Sequence, residues 1–228
     1  KTPEFAELIF WEMPEEAVRV ANFQVGRLDS FSMGFDSYDT VKQVPGVRFM
    51  TMPVAAQEHV ALMPQMYHKE GYDCSKPWTS CDPDVNSAEW EKARKVREAL
   101  AISFDRQEIV DELLQGQGNT LVSWGWAGHQ ERLPEEIRHW PYDPERAKQL
   151  LVEAGYPNGF EIDVLPAIRA VPGEVEACEA MASAWEAIGI KTTITKLDLG
   201  PLVPKIMDGV KTAWHGAECH GTSSRVQP

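Results

Sequence analysis

Two stretches of sequence decide the fold: KVREALAISFDRQEIVDELLQGQG, residues 95–118, and YDPERAKQLLVEAGYPNGF, residues 142–160. Each of them predicts an amphipathic helix with a marked start and end. In the first stretch, Asp105 and Glu108 form an acidic capping box ahead of an apolar stripe. Gly116 stands where a helix commonly ends with a residue in the left-handed conformation.

The second stretch predicts a helix that begins after Asp143, a natural N-cap, with Pro144 in its first turn. Gly155 ends this helix, and a strand is expected over residues 160–165. The loop between the two helices, residues 116–142, is longer than compact domains usually contain, and its tryptophans argue against disorder. This layout is typical of the wall of a binding cleft rather than of a catalytic site.

Short apolar runs alternate with helical patterns along the rest of the chain, which predicts an α/β fold with mainly parallel strand pairing. Strands are expected at residues 8–13, 28–33, 47–52, 59–66, 160–165, 190–197 and 210–214. Further helices are expected at residues 15–25, 174–188 and 201–207. Residues 67–86 show neither the helical nor the strand periodicity of apolar residues, and we interpret them as a surface loop between two lobes.

The composition limits the classes of function. Hydrophobic residues make up 43% of the 228-residue chain and charged residues 25%, which is typical of a globular protein with an ample core. No run approaches the roughly 18 apolar residues that a transmembrane helix needs. The net charge of −13, from 35 acidic and 22 basic residues, disfavours nucleic acid and anionic membranes as partners, because both require a basic patch.

The chain has four cysteines but no CxxC pair, so neither a zinc ribbon nor a thioredoxin-like site is supported. Cys74 and Cys81 flank a turn-rich segment. In an oxidising compartment they can close a small disulfide loop; otherwise both stay reduced. Cys178 falls on a helical stripe with Met181 and Trp185, and we expect it to be a buried small hydrophobe.

Four segments together carry a resemblance to a known family. VREALAISFDRQEIVDELLQGQG (residues 96–118), followed by YDPERAKQLLVEAGYPNGFEIDV (residues 142–164), resembles the signature of the family 5 extracellular solute-binding proteins. These are the dipeptide-, oligopeptide- and nickel-binding components of bacterial ABC importers. PEEAVRVANFQVGRLD (residues 14–29) and AWEAIGIKTTITKLDLGPLVPKIMDG (residues 184–209) resemble further segments of the same family, in the family's order.

The resemblance implies a type II periplasmic-binding-protein-like fold: α/β, with two lobes of mixed sheet and flanking helices, incomplete because family members are longer. Residues 1–66 would form the later part of lobe I with its crossing strands, residues 67–86 a surface loop or linker, and residues 87–228 most of lobe II. We therefore expect a fragment of a longer chain. The family also implies a periplasmic location, or an extracytoplasmic and lipid-anchored one in a Gram-positive bacterium.

The tryptophans of the long loop are candidates for ligand binding. Trp124 and Trp126 offer large apolar faces that suit a pocket accepting varied side chains. The alternative is that both simply pack the loop onto its lobe. For Trp140 we expect packing alone.

Arg169 lies shortly after the expected strand segment FEIDVLP, residues 160–166, and before Pro172 and Gly173. A guanidinium group at the carboxyl edge of an α/β sheet can hold a carboxylate through two parallel hydrogen bonds. In dipeptide-binding members of the resembled family, an arginine close to this point grips the C-terminal carboxylate of the peptide. The resemblance implies that role for Arg169, and the alternative is a solvated surface arginine.

The segment AWHGAECHG resembles the Trp-x-x-Asp motif of peptide-binding members, whose aspartate pairs with the α-ammonium group of the ligand. Trp214 matches the motif, but Ala217 holds the acidic position and Glu218 follows one residue later. Either Glu218 takes over after a small shift of the backbone, or the ligand is not a standard peptide.

Family members also tend to have small residues beside the cleft just after residue 53. Val54, Ala55 and Ala56 match by size. Their backbone N–H and C=O groups would pair with an extended ligand in the manner of an added strand. The alternative is a plain strand end.

No catalytic residue is assigned, because the chain has no GxSxG, HExxH, P-loop or GxGxxG pattern. His215, Cys219 and His220 are spaced for zinc or nickel only if a fourth ligand joins them, so we predict neither a metal site nor a cofactor. Abundant carboxylates leave a hydrolase that uses a cleft pair as the alternative.

The resemblance thus implies the solute-binding component of an ABC importer. It would capture a peptide-like ligand between two lobes by hinge closure and deliver it to a membrane permease. A nickel chelate, an opine or an oligosaccharide are alternative ligands. We expect a monomer without enzymatic activity, whose partners are the ligand and the permease.

Overall fold

A computed structural model describes most of the chain. It covers residues 4–50, 56–62, 74–116, 118–122, 130–168, 173–198, 200 and 216–223. The chain divides into two compact units, residues 1–50 and residues 51–228. In the described part, no helix is long and apolar enough to cross a bilayer.

The first unit is organised around one helix. It contains α1 (Glu16–Gln24), a 3₁₀ turn (Phe35–Ser37) and α2 (Tyr38–Val41). Arg19 donates hydrogen bonds to the carbonyl oxygens of Met13 at 2.7 Å and Ser32 at 3.2 Å. The carboxylate of Glu16 accepts one from the backbone N–H of Gly34 at 2.7 Å. Side chains of α1 therefore hold the segments before and after it.

The strands predicted at residues 8–13 and 28–33 are wrong, since residues 4–50 contain no strand. The same holds for the described part of the strand predicted at residues 47–52. An apolar run becomes a strand only when a neighbouring backbone completes its hydrogen-bond ladder, and residues 4–50 supply none. Phe10, in the first of these runs, is consequently 86% exposed.

The second unit is built on a five-stranded mixed sheet. Its strands are β1 (Ala56–Leu62), β2 (Glu161–Ile168), β3 (Lys191–Ile194), β4 (Leu197–Asp198) and β5 (Gly216–Ser223). The order is β1-β5-β2-β3, and β4 also pairs with β2. β1 runs antiparallel to β5, and all other pairs are parallel. The helix and the strand predicted at residues 201–207 and 210–214 lie outside the described residues.

In the described residues up to 198, four helices accompany the sheet: α3 (Ala88–Ile102), α4 (Arg106–Leu113), α5 (Pro144–Glu153) and α6 (Glu174–Ala187). The predicted caps are confirmed. The Asp105 carboxylate accepts the backbone N–H groups of Gln107 at 2.9 Å and Glu108 at 3.1 Å. The Asp143 carboxylate accepts that of Arg146 at 2.8 Å. Each cap satisfies donors that the first helical turn leaves without an intrahelical acceptor.

One hydrophobic core joins α3, α5 and α6 to the sheet. Its large members include Trp78, Val96, Leu100, Leu150, Leu151, Ile162, Val164, Met181 and Trp185. The indole N–H of Trp185 donates to the buried carbonyl of Leu100 at 3.0 Å, which ties α6 to α3. The amphipathic stripes of α3, α5 and α6 therefore face a shared interior.

The division between the two compact units falls before β1, which belongs to the second unit because it pairs along its whole length with β5. Part of the predicted interlobe loop, residues 74–86, is described and irregular. It is nevertheless anchored in the core, where Trp78 is only 1% exposed. The carbonyl of Trp78 accepts a 2.6 Å hydrogen bond from Arg97, and Cys74 and Cys81 form a disulfide with Cα atoms 5.3 Å apart.

We predict that replacing both cysteines of this loop, C74A/C81A, lowers the free energy of unfolding by roughly 2 kcal/mol. The disulfide closes a short loop, and its loss frees that loop in the unfolded chain. Denaturant unfolding measures the change. Val85→Ala, at an exposed position of the same segment, is the control and is expected to change little. An unchanged unfolding midpoint in C74A/C81A would contradict the prediction.

A close approach of two backbones aligns β2 with β3. Gly159 has φ +68°, and a Cβ atom there would lie 1.8 Å from the carbonyl oxygen of Gly189. Next to this approach, the backbone N–H of Lys191 donates to the carbonyl of Phe160 at 2.9 Å. Only glycine permits both the left-handed conformation and this spacing.

Gly159→Ala is therefore expected to destabilise the protein by more than Gly155→Ala. Both positions have positive φ, so both substitutions incur about 1–2 kcal/mol for the left-handed conformation. Nothing lies within 4 Å of a Cβ at Gly155, whereas at Gly159 the backbones must separate, which adds about 1–3 kcal/mol. Thermal unfolding compares the two variants, and equal losses would show that the close approach carries no cost.

Candidate functional site

One edge of the sheet gathers the strand ends that the candidate residues adjoin. Parallel strands end on the same side, and Ile168 at the end of β2 is level with Asp198 at the end of β4. Ser223 ends β5 and pairs with Ala56, the first residue of the antiparallel strand β1. In open α/β sheets, ligands dock outside the carboxyl ends of the strands. We call this side of the sheet the carboxyl edge.

Three candidates from the sequence adjoin the carboxyl edge. Arg169 immediately follows β2, and Val54 and Ala55 immediately precede β1; all three lie outside the described residues. Ala56 is itself the start of β1. β1 and β2 are separated by β5, hence by roughly 10 Å.

Glu218 lies within the sheet rather than at its edge. The structure describes its backbone in β5, level with Leu165 of β2 and with Ala61 of β1. It is three residues back from the end of β2, or about 10 Å along the strand. Because strand residues alternate between faces, Glu218 and Ala56 belong to opposite faces of the sheet. Of the described candidates, Ala56 therefore lies at the carboxyl edge, whereas Glu218 lies further back within the sheet.

The remaining candidates, Trp124, Trp126 and Trp214, lie outside the described residues. The base of the loop that carries the first two is described. There Trp140, 41% exposed, donates its indole N–H to the carbonyl of Val122 at 2.9 Å. The amide of Gln130 donates to the carbonyl of Thr120 at 3.1 Å. Two side chains thus hold the loop ends together.

The alternation of strand residues bears on the metal alternative. Cys219 and His220 are neighbours in β5, so they belong to opposite faces of the sheet, and His215 lies outside the described residues. Within the described ranges, no group of three or more His, Cys, Asp or Glu is arranged to hold a metal ion. Cross-strand pairing instead sets His220 opposite His59, to which sequence analysis assigned no role.

The charges at the opposite end of the sheet are engaged locally. Lys191 contacts Glu161 at 2.6 Å where β3 and β2 begin. The hydrogen bond from this ammonium group lowers the pKa of Glu161 below its usual value. Both side chains are exposed, so the pair adds little to stability.

Two acidic residues near the carboxyl edge were not among the site residues predicted from the sequence. Asp198 ends β4 there, but the predicted strand ended one residue earlier. Glu174 is buried in the first turn of α6, soon after the end of β2. An acidic residue in the first turn of a helix is ordinarily explained by its favourable interaction with the helix dipole. The sequence therefore offered no reason to expect that Glu174 is buried.

A mixed α/β sheet with flanking helices is the fold of type II periplasmic binding proteins. The profile of the bacterial extracellular solute-binding proteins, family 5, middle region, matches residues 1–214. The chain belongs to this family.

Two relatives show how much of a family member the chain spans. Heme-binding protein A of Haemophilus influenzae is 38% identical over 133 residues, which are 54% of this chain and 23% of that protein. Di/tripeptide-binding protein 1 of Pseudomonas aeruginosa is 33% identical over 129 residues, 54% of this chain and 24% of that protein. The matched part is about a quarter of either relative.

Solved structures agree on the fold. The periplasmic binding protein DppA of Helicobacter pylori, in complex with the peptide STSA, has a TM-score of 0.65 at 16% identity, over 93% of this chain and 36% of its own. The dipeptide-binding protein of Pseudoalteromonas sp. SM9913, in complex with Met-Leu, has a TM-score of 0.66 at 19% identity, over 92% of this chain and 37% of its own. NikZ of Campylobacter jejuni, in complex with Ni(L-His), has a TM-score of 0.57 at 18% identity, over 94% of this chain and 39% of its own.

Trp140→Phe is expected to lower the free energy of unfolding of the second unit by about 1 kcal/mol. The substitution keeps the ring but removes the N–H donor and leaves the Val122 carbonyl without this partner. Urea unfolding measures the change. Trp11→Phe, at an exposed tryptophan, is the control and should have no effect. Equal stability of both variants would mean that the hydrogen bond at the loop base contributes nothing.

Proposed function

We propose that the intact protein is the solute-binding component of an ABC importer, and that it captures a peptide-like ligand between two lobes. Membership of family 5 is the observation that carries this proposal. We place the protein in the periplasm, or outside the cytoplasm on a lipid anchor in a Gram-positive bacterium. Its partners are then the ligand and a membrane permease, and it acts as a monomer.

Such a protein needs no catalytic group. Ligand contacts stabilise the closed form over the open one, and the permease distinguishes the two by shape. The absence of a catalytic motif in the sequence accords with this, and we propose that the protein is not an enzyme. In the proposed arrangement residues 1–66 belong to lobe I with its crossing strands, residues 67–86 link the lobes, and residues 87–228 form most of lobe II.

Two charged residues would recognise the ends of a peptide. Arg169 follows β2 at the carboxyl edge, where a guanidinium group can hold the peptide carboxylate through two parallel hydrogen bonds. Glu218, within β5, would pair with the α-ammonium group. Both pairs gain strength when lobe closure excludes water, because charges attract more strongly in a low-dielectric site.

The remaining candidates would contact the middle of the ligand. Val54 and Ala55 directly precede β1, and Ala56 begins it at the carboxyl edge. We propose that their backbone groups pair with an extended peptide without selecting its side chains. Three indoles would cover the side chains of the peptide, namely Trp124, Trp126 and Trp214. Together they suit a pocket with broad side-chain tolerance.

A specific departure from the peptide-binding pattern favours a second candidate. Ala217 stands where peptide-binding members have the acid of Trp-x-x-Asp. NikZ, which has the same fold, holds Ni(L-His), and the relative with 38% identity is named as a heme-binding protein. The second candidate is therefore the same capture mechanism with a non-peptide ligand such as a nickel chelate, an opine or an oligosaccharide.

Native mass spectrometry of the intact protein tests the function. A mass excess of a few hundred daltons that disappears on denaturation would identify a captured ligand. Calorimetry with trialanine, its N-acetylated form and its C-terminal amide then tests recognition of each end. We expect binding of trialanine and at least tenfold weaker binding of both blocked forms. Binding of Ni–histidine without any binding of trialanine would reject the peptide in favour of the second candidate.

Arg169→Ala is expected to weaken trialanine binding at least tenfold and to leave the Tm nearly unchanged. The lost guanidinium group removes a charge-assisted contact to the carboxylate. Arg146→Ala is the control, because that arginine pairs with Glu153 on the exposed side of α5. Calorimetry should also show that trialanine amide is insensitive to Arg169→Ala. Equal affinity of the wild type and Arg169→Ala would exclude Arg169 from the site.

A further inference from the structure

Cys178 is more than the buried hydrophobe that its helical stripe predicts. It lies in the first half of α6, is fully buried, and is disulfide-bonded. The chain has four cysteines, and two of them, Cys74 and Cys81, are bonded to each other. The fourth is Cys219, whose backbone lies in β5. Of the four cysteines, Cys219 is thus the one left as a partner for Cys178. The strand register of the sheet gives an independent test of this pairing.

The pairing of β5 with β2 assigns residue 219 to a face of the sheet. Ile162 and Val164 of β2 are buried in the same core cluster as Cys178, which lies on the α6 side of the sheet. Pro166, two residues beyond Val164, belongs to the same face because strand residues alternate. Pro166 is the partner of Cys219 in the parallel β2–β5 register. Residue 219 therefore belongs to the face of the sheet that α6 covers.

The other neighbour of β5 gives the same answer. Val60 of β1 is packed against the core cluster that contains Cys178. Val60 is the partner of Cys219 in the antiparallel β1–β5 register, and directly opposed residues share a face. α6 packs against β5 as well as against β2 and β3. The two strand registers and the contact between α6 and β5 thus agree that residue 219 belongs to the face of the sheet that α6 covers.

We propose that a Cys178–Cys219 disulfide fixes β5 to α6 and thereby positions Glu218 for the ligand. The positioning role rests on the proposed function; the pairing itself does not. Glu218 is the chain neighbour of Cys219 and belongs to the opposite face of β5, so an anchor at Cys219 on the core side restrains the acid on the other side. Cys219 is in this sense a positioning residue for ligand recognition.

The chemistry requires an oxidant that the compartment supplies. Two thiols, at Cys178 and Cys219, lose two electrons and two protons as their S–S bond forms. A disulfide of a thiol oxidant accepts both and becomes a dithiol. The proposal therefore predicts that β5 is fully anchored only where disulfides persist, as in an extracytoplasmic compartment.

Tryptic mapping without reduction tests the pairing. With free thiols alkylated beforehand, residues 170–191 and 212–225 are expected as one joined peptide that separates on reduction. Residues 70–92 form the internal control: they stay in one peptide because trypsin does not cut before Pro77, and they carry the Cys74–Cys81 bond. Recovery of the first two peptides separately, each alkylated, would overturn the proposal.

Amide hydrogen exchange tests the anchoring without any ligand. In C178A/C219A we expect residues 216–223 to exchange at least tenfold faster, whereas α3 stays protected. C74A/C81A is the matched control and should leave exchange in β5 unchanged. Because alanines in the core can disturb folding, mild reduction of C74A/C81A provides a second measurement, since only the proposed bond remains there to be cut. Unchanged β5 exchange in both experiments would refute the anchoring.

Calorimetry with trialanine tests the positioning. C178A/C219A should bind it at least fivefold more weakly, and C74A/C81A should bind it like the wild type. Equal affinity of C178A/C219A and the wild type would refute the positioning role. If the wild type itself binds no trialanine, the peptide function fails; mapping and exchange then still decide whether β5 is anchored.

Discussion

The parallel pairing of β2 with β5 is the constraint on which the rest of the second unit depends. The two strands are far apart in sequence, yet their register determines what lies on each side of the sheet. Val164 and Pro166 belong to the face of the sheet that α6 covers, whereas Leu165 belongs to the same face as Glu218. The same pairing brings the end of β2 and the start of β1 to one edge, since β5 lies between these strands. A slip of one residue would exchange the face that α6 covers with the face that carries Glu218.

Local sequence predicted the helices well, because the signals that start and stop a helix lie within one turn of it. Asp105 and Asp143 cap the helices as expected, and Gly116 and Gly155 have positive φ just after their ends. That Arg169 follows a strand could likewise be predicted from the residues next to it in the sequence. The family followed from the order of four motifs, each of which is too short to carry the conclusion alone.

What the sequence did not predict depends on partners distant in the chain. The apolar run around Phe10 has the composition of a strand, but residues 4–50 supply no ladder for it, so the side chain stays exposed. For Cys178, helical periodicity indicated burial correctly but contained no information about bonding. Strand alternation assigns Cys219 and His220 to opposite faces of β5, which their spacing in the sequence alone does not show. In each case pairing decides the outcome, and pairing is not a property of a short window.

The two faces of β5 make opposite physical demands. The face that carries residue 219 must stay fixed, because it closes a core of large apolar side chains in which even small displacements open cavities. In the proposed function, the face that carries Glu218 would meet a ligand, and an acid that recognises an ammonium group works only within a narrow range of distance. A strand whose backbone is held on one face holds the side chains of its other face at fixed positions as well. Under that proposal, charge recognition by Glu218 depends on packing on the opposite face of the sheet, and the proposed covalent anchor under β5 couples the two.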